Sequence, residues 1–221
     1  MLKYSLPLTN TLYLKNLKSY LILADDNLNR FKDQNENFTA RMIRKETGAD
    51  WLEEGSHLNN IEWLFLNSIF VTMYASFEHF LMKVASTLEG QPGIQIKLSH
   101  ISGRGILEQY TNYLRLVGGL ASASRERSPW GRMSHYQNVR NLLAHNGGIM
   151  QDDGDKALEK HKDFKFLQQE DVVMASGVGM IRIRNKKILE SFVKDTTLLT
   201  NNLLNEFNQK YPKQADADDL G

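Results

Sequence analysis

One short segment of the sequence combines side chains that can act on a phosphodiester. The segment from Asn138 to Gly148 contains Arg140, Asn141 and His145 and ends at two glycines. Arginine is always charged and presents a planar fork of donors that matches a phosphate group. Histidine can both accept and donate a proton near neutral pH. Together these residue types predict chemistry on a phosphodiester, with RNA cleavage as the leading expectation.

A helix is predicted to carry these side chains. Ser128 is expected as its N-cap and Pro129 as its first residue, while Gly147–Gly148 is a natural stop. On such a helix Arg140 and His145, five residues apart, are separated by about 7.5 Å along the axis and about 140° around it. This separation prevents direct contact, so the arginine would have to reach back toward a phosphate that the histidine also contacts.

A plainer interpretation of the same residues is open. His145 could stabilise the end of its own helix, because a cation is favourable beside the C-terminal carbonyl groups. Arg140 could be a surface partner in a salt bridge. The spacing of the two residues does not by itself decide between these roles and a catalytic site.

The string from Arg140 to Asn146 resembles the signature of HEPN domains (higher-eukaryote-and-prokaryote nucleotide-binding). That signature has an arginine, a polar residue that is often asparagine, and a histidine after four to six intervening residues, of which there are four here. The stretch from Tyr74 to Leu81 resembles the long helix that packs beside the motif helix in such proteins. The resemblance covers residues 57 to 211 in the order of elements and is specific at the motif.

The resemblance implies a metal-independent endoribonuclease of a toxin–antitoxin or antiphage defence system. His145 would act as general base or acid, Arg140 would stabilise charge on the phosphoryl oxygens, and Asn141 would orient His145 or bind the substrate. Glu78 and Asn146 are expected to support the site. Other HEPN proteins have lost catalysis, so the alternative is an inactive module that binds RNA, a nucleotide or a protein partner.

The resemblance also implies partners. HEPN nucleases pair two motif helices in a homodimer, which supplies a second histidine, and we expect the same here. A cognate antitoxin or defence-system protein is a further expected partner. In one subgroup of HEPN toxins a tyrosine two residues after the histidine is nucleotidylated by the antitoxin. This chain has Gly147 at that position, so regulation by that route is not expected.

The region around the motif is rich in arginine although the formal net charge of the chain is only +1. Between Lys97 and Gly148 the only acidic residues are Glu108 and Glu126. A basic surface attracts a polyanion, and this bias predicts an RNA path. The arginines expected to bind RNA are Arg104, Arg125, Arg127 and Arg132. The alternative is an ordinary solvated surface whose charges are balanced elsewhere.

Composition excludes several other classes of protein. The 221 residues are 41% hydrophobic and include no cysteine, which excludes disulfides, thiol nucleophiles and cysteine-based metal sites. The histidines lack the spacing of a metal site, so neither a metal nor a cofactor is expected. The N-terminus does not read as a signal peptide, and the uncharged apolar stretch 63–77 is too short to span a bilayer. We expect a soluble, cytoplasmic protein without a membrane partner.

Hydrophobic periodicity predicts an all-α fold. We expect an HEPN-like antiparallel helical bundle with a small β-hairpin inserted before the C-terminal helix. The predicted helices, besides the motif helix, span 9–34, 39–47, 58–88, 106–117 and 187–211. The hairpin is predicted at 172–175 and 180–184 around a glycine turn, after an irregular segment at 150–170.

The predicted organisation is a single helical domain over residues 1–211. Within it, residues 1–56 form an N-terminal helical extension and residues 57–211 form the HEPN core. Residues 212–221 are expected to be a disordered acidic tail, because they contain three aspartates and no apolar cluster.

Overall fold

Helices account for most of the chain, which confirms the all-α class. The computed structural model describes residues 6–44, 50–125, 129–150, 163–175 and 179–212. The helices are α1 (Leu6–Ile43), α2 (Trp51–Glu89), α3 (Ile106–Leu116), α4 (Trp130–His145), α5 (Phe164–Gln169) and α6 (Lys187–Lys210). Two short strands, β1 (Val173–Ala175) and β2 (Met180–Arg182), lie between α5 and α6, and 3₁₀ turns occur at Leu98–His100 and Ala121–Ala123.

The described residues group into two compact units. Unit 1 comprises the described parts of 1–15, 75–134 and 194–221, and unit 2 those of 16–74 and 135–193. The helices α1, α2, α4 and α6 therefore each contribute residues to both groups.

Aromatic contacts form part of the core of unit 1. The rings of Tyr13 and Phe80 stack with centroids 5.2 Å apart, and Phe77 lies 6.3 Å from Trp130. Trp130 is almost fully buried, and its indole N–H donates to the carbonyl oxygen of Ser122 at 2.6 Å. The first residue of α4 is thus fixed by burial of a large ring whose polar atom has a partner.

Unit 2 is built around five aromatic side chains that we call the aromatic cluster: Phe70, Tyr74, Tyr136, Phe166 and Phe192. They come from α2, α4, α5 and α6, and none is more than 5% exposed. Tyr136 contacts Phe166 at 5.1 Å and Phe192 at 5.2 Å between ring centroids, both edge to face. Burying one such ring stabilises the fold by about 1.5–3 kcal/mol, so the cluster fixes α4 within unit 2.

The two strands pair antiparallel, with Met174 opposite Ile181. The glycine turn predicted between them lies mostly at 176–178, outside the described residues. The segment that follows α4 joins the other edge of β2. There the Ile181 N–H donates to the Gly148 carbonyl oxygen at 2.8 Å, and the Met150 N–H donates to that of Gly179 at 3.1 Å. The motif helix therefore leads directly into strand-like pairing.

Two predictions about elements were wrong. A separate helix at 39–47 does not form, because α1 runs without a break to Ile43. Inside it the Thr39 hydroxyl donates to the Asn35 carbonyl oxygen at 2.8 Å, and Arg41 pairs with Glu54 of α2. The segment 150–170, predicted to be irregular, contains α5. The predicted stop at Gly48 lies outside the described residues, as does the predicted tail from residue 213 onward.

Two of the other helices agree closely with their predictions. α3 and α6 end within a residue of the predicted positions, and α2 starts earlier than predicted, at Trp51. None of the helices in the described ranges has the length and apolar character that crossing a bilayer would require.

Candidate functional site

Burial of one face of α4 decides which of its side chains reach solvent. Met133, Tyr136 and Val139 are fully buried and recur at helical spacing. The positions that remain for chemistry include Arg140, which is half-buried, and His145, which is exposed.

The end of α4 depends on glycine, as predicted. Gly147 and Gly148 have φ values of 58° and 81°, in the left-handed region that L side chains rarely adopt. The Gly148 N–H turns back to the Leu142 carbonyl oxygen at 2.8 Å. At the other end the helix begins at Trp130, directly after Pro129, and the predicted N-cap Ser128 lies outside the described residues.

The guanidinium of Arg140 contacts an aromatic ring and a side-chain amide. Its Cζ lies 5.3 Å from the centroid of the buried Tyr74 ring, within the range of a cation–π contact. Its Nη1 donates to Oδ1 of Asn141 at 2.9 Å. One helix therefore supplies the arginine and its amide partner, and the neighbouring helix α2 supplies the ring.

The contact between Asn141 and Arg140 gives the asparagine a different neighbour from the one predicted. The sequence favoured a role for Asn141 in orienting His145 or binding substrate, and that role stays a prediction. With its carbonyl oxygen facing Arg140, the side-chain amide of Asn141 retains its NH₂ group as a donor. Asn141 is exposed, so this group is accessible to a ligand.

His145 is the last residue of α4 and does not share a face with Arg140. The helix is continuous through both positions, so the offset of about 7.5 Å along the axis and about 140° around it applies. The structure therefore provides a fixed arginine and an accessible histidine on one helix, directed to different sides. Within one chain the two side chains do not converge on one point of the helix surface.

A second histidine has an environment that the sequence did not reveal. The Nδ1 of His135 lies 2.7 Å from Oδ1 of Asp163, whose side chain is fully buried. The side-chain amide of Asn138 donates to both oxygens of that carboxylate, at 3.1 Å each. The imidazole stacks on Phe166 with centroids 4.9 Å apart. A carboxylate at Nδ1 fixes the orientation of the ring and leaves Nε2 as the nitrogen that could exchange a proton with a ligand.

Only part of this arrangement has a signal in the sequence. His135 and Asn138 are three residues apart and share a helix face. Asp163 lies 25 residues beyond Asn138, in a segment predicted to be irregular, and no local pattern connects them. His135 precedes His145 by ten residues, about 15 Å along the axis, so the two imidazoles cannot serve one phosphorus atom in the same chain.

The two residues predicted to support the site have other neighbours. Glu78 lies half-buried on α2 in unit 1. Burial raises the pKa of Tyr110 on α3, and the negative charge of Glu78 raises it further. Asn146 is exposed, and its backbone closes the helix end, since its N–H donates to Leu142 O at 3.1 Å and its carbonyl accepts from the Ile149 N–H at 2.9 Å. Their supporting roles stay predictions.

The described arginines of the predicted RNA path belong to unit 1, and two of them face carboxylates. Arg125 lies 3.5 Å from a carboxylate oxygen of Glu108, and Arg132 lies 2.7 Å from one of Asp195. Arg104 is exposed. Arg127 lies outside the described residues. Pairing reduces the charge that Arg125 and Arg132 offer to a polyanion, so Arg104 is the strongest remaining candidate.

Two surface depressions among the described residues are lined by residues other than those of the motif. One of about 650 Å³ follows the second half of α1, and one of about 790 Å³ lies at the start of α2. Within the described ranges no three histidine or carboxylate side chains are grouped as metal ligands would be.

No protein-family model, no curated protein and no solved structure matches this chain. The case for a function therefore depends on the side chains themselves.

Proposed function

We propose that the protein is an HEPN-like, metal-independent endoribonuclease of a toxin–antitoxin or antiphage defence system. The observation that carries the proposal is the set of contacts that hold the Arg140 guanidinium in place. Its guanidinium is held by Tyr74 and Asn141, while His145, an accessible proton-transfer group, lies five residues further along the same helix. The resemblance of the segment 140–146 to the HEPN signature supports the same conclusion.

The proposed reaction is an internal transesterification of RNA. The 2′-oxygen attacks the adjacent phosphorus and loses its proton to a neutral His145. As the new P–O2′ bond forms, the P–O5′ bond breaks, and a protonated histidine gives its proton to the leaving O5′. Arg140 stabilises the charge on the nonbridging oxygens. The products are a 2′,3′-cyclic phosphate and a 5′-hydroxyl.

This reaction needs two histidines in opposite protonation states, and we propose that a symmetric homodimer supplies them. In one chain Arg140 and His145 are directed to sides of α4 about 140° apart. Two motif helices facing each other across a two-fold axis would bring the His145 of each protomer to the same phosphorus, one as base and one as acid, with both Arg140 side chains at that phosphate.

Cleavage of RNA in the presence of EDTA tests the chemistry. We expect His145→Ala to lower the rate by about 10²–10⁴-fold, the range of a general acid or base, and Arg140→Ala to lower it comparably. His79→Ala and Arg115→Ala, at exposed positions outside the proposed site, are matched controls and should retain the wild-type rate. An all-deoxy oligonucleotide should stay intact because it lacks the attacking hydroxyl. Wild-type rates in either site variant would refute the assignment.

Sedimentation or light scattering at micromolar concentration tests the dimer. We expect twice the chain mass of 25.4 kDa. An active monomer would refute the proposed pairing of motif helices, and so would a dimer with its two His145 side chains on opposite outer surfaces. A neighbouring gene for an antitoxin or another defence protein would identify the biological system and the expected partner.

A second candidate function is an inactive HEPN module that binds RNA, a nucleotide or a protein. It is favoured by the position of His145 at the exposed C-terminal end of α4, where a cation stabilises the helix without any chemistry. In that case the wild type binds RNA and does not cleave it, and His145→Ala lowers stability while leaving the affinity for RNA unchanged.

A further inference from the structure

The ring beneath Arg140 belongs to the aromatic cluster of unit 2. Tyr74 is fully buried, and its ring centroid lies 6.0 Å from that of Phe192. Phe192 in turn contacts Phe70 at 5.8 Å and Tyr136 at 5.2 Å. Tight packing in a core restricts the rotamers of a ring enclosed in this way.

The guanidinium above that ring is restrained in two directions. The Tyr74 ring centroid lies 5.3 Å from Cζ, so the ring blocks movement of the guanidinium toward the core. The hydrogen bond from Nη1 to Asn141 limits its rotation. An arginine side chain on a solvated surface has many rotamers, and fixing it on binding an anion costs free energy. Here the protein fold has already met part of that cost.

We propose that Tyr74 is a positioning residue that presents the Arg140 guanidinium to a phosphate. This inference rests on the proposed function for the identity of the anion, an RNA phosphate. The role requires an aromatic face and does not require the tyrosine hydroxyl, because the attraction comes from the π-system. An aliphatic side chain such as leucine would occupy part of the space and would not attract the cation, because it has no π-system.

Two substitutions at position 74 distinguish the effect of the aromatic ring from that of an apolar side chain. Tyr74→Phe retains the ring and should keep kcat within about twofold of the wild-type value. Tyr74→Leu removes the ring and should lower kcat by about tenfold, within the range of one cation–π contact, while KM changes less. Phe77→Leu is the matched control: it removes a fully buried ring of α2 that lies outside the aromatic cluster, and it should leave kcat within about twofold.

A double-mutant cycle with Arg140→Lys distinguishes positioning from general damage to the core. Lysine keeps the charge and loses the planar group that lies on the ring. If Tyr74 acts through Arg140, then Tyr74→Leu causes no further loss of kcat in the Arg140→Lys background. If the double variant loses kcat by the product of the two single losses, the substitutions act independently and the proposal is overturned. A wild-type kcat for Tyr74→Leu alone would also overturn it.

A measurement without RNA keeps this inference separate from the proposed function. In ¹⁵N-resolved NMR spectra the Arg140 Nε–H should be displaced upfield by the ring in the wild type and in Tyr74→Phe, but not in Tyr74→Leu. Titration with inorganic phosphate should shift this resonance at lower concentration in the wild type than in Tyr74→Leu. An equal phosphate response in both proteins would refute positioning. Absence of RNA cleavage by the wild type would refute the proposed function and leave this comparison to decide the role of Tyr74.

Discussion

The buried carboxylate of Asp163 makes a quantitative prediction possible. It is fully buried, and its partners include the half-buried side chains of His135 and Asn138 on α4. Replacing Asn138 by alanine removes the amide that donates to both carboxylate oxygens. The carboxyl group stays buried with one neighbour fewer, which is more costly than losing a partner at a solvated site.

The magnitude follows from the kind of bond that is lost. A hydrogen bond to a charged group contributes about 1.5–3 kcal/mol, and the Asn138 amide reaches the two oxygens from one nitrogen at 3.1 Å each, so we count it once. Alanine is the better helix former by about 0.5 kcal/mol, which offsets part of the loss. We therefore expect Asn138→Ala to lower the free energy of unfolding by about 1–2.5 kcal/mol. For a chain of this size that corresponds to a fall in Tm of about 2–10 °C.

Urea denaturation followed by circular dichroism measures this change. The midpoint should fall with an unchanged m value, because the surface exposed on unfolding is the same. Gln137→Ala, at the adjacent half-buried position on α4, is the control and should change stability by less than about 0.5 kcal/mol.

A second background shows whether the carboxylate is the cause. In Asp163→Ala the acceptor is gone, and the partly solvated amide can turn to water, so Asn138→Ala should then cost almost nothing. If Asn138→Ala destabilises both backgrounds equally, the loss arises from packing and the reasoning about the buried charge is refuted.

The remaining predictions concern glycine and charge. Gly148→Ala should destabilise the fold by about 1–3 kcal/mol in thermal unfolding, because φ is 81° and a Cβ would lie 2.9 Å from a β2 carbonyl oxygen. Gly131→Ala should instead stabilise it by up to about 1 kcal/mol, since this helical site has open space around it. For RNA binding, Arg104→Ala should flatten the log–log salt slope by about 0.7, and Arg132→Ala should do so less because Asp195 lies 2.7 Å away. A salt-independent affinity would favour a nucleotide or protein ligand.

Local signals in the sequence were sufficient for most helices. The start of α4 follows a proline, and its end needs two glycines that adopt left-handed conformations. Such features act through the backbone of a few neighbouring residues, so they can be recognised without knowledge of the tertiary structure. The predicted break in α1 failed for the opposite reason. Its asparagines have low helix propensity, but a propensity difference of less than about 1 kcal/mol per residue is readily overridden by the packing of the helix, which the sequence does not show.

The candidate site was predictable as a set of residue types and not as a set of contacts. Arg140, Asn141 and His145 are visible in the sequence, and their placement on one helix followed from its period. The ring beneath Arg140 comes from Tyr74, 66 positions earlier. The carboxylate beside His135 comes from Asp163, which directly precedes α5. Both contacts depend on the packing of elements distant in sequence, for which one sequence without its structure has no signal.

The segment after α4 pairs with β2, so hydrogen exchange of an amide in β2 depends on the stability of the end of α4. The Gly148 carbonyl that receives the Ile181 N–H is three residues from His145. Exchange of the Ile181 amide with deuterated solvent requires that bond to open, and opening releases the peptide that fixes the end of α4. The exchange rate at one amide in β2 therefore reports how often the histidine end of the helix is loosened, without a ligand, a label or a substitution near the histidine.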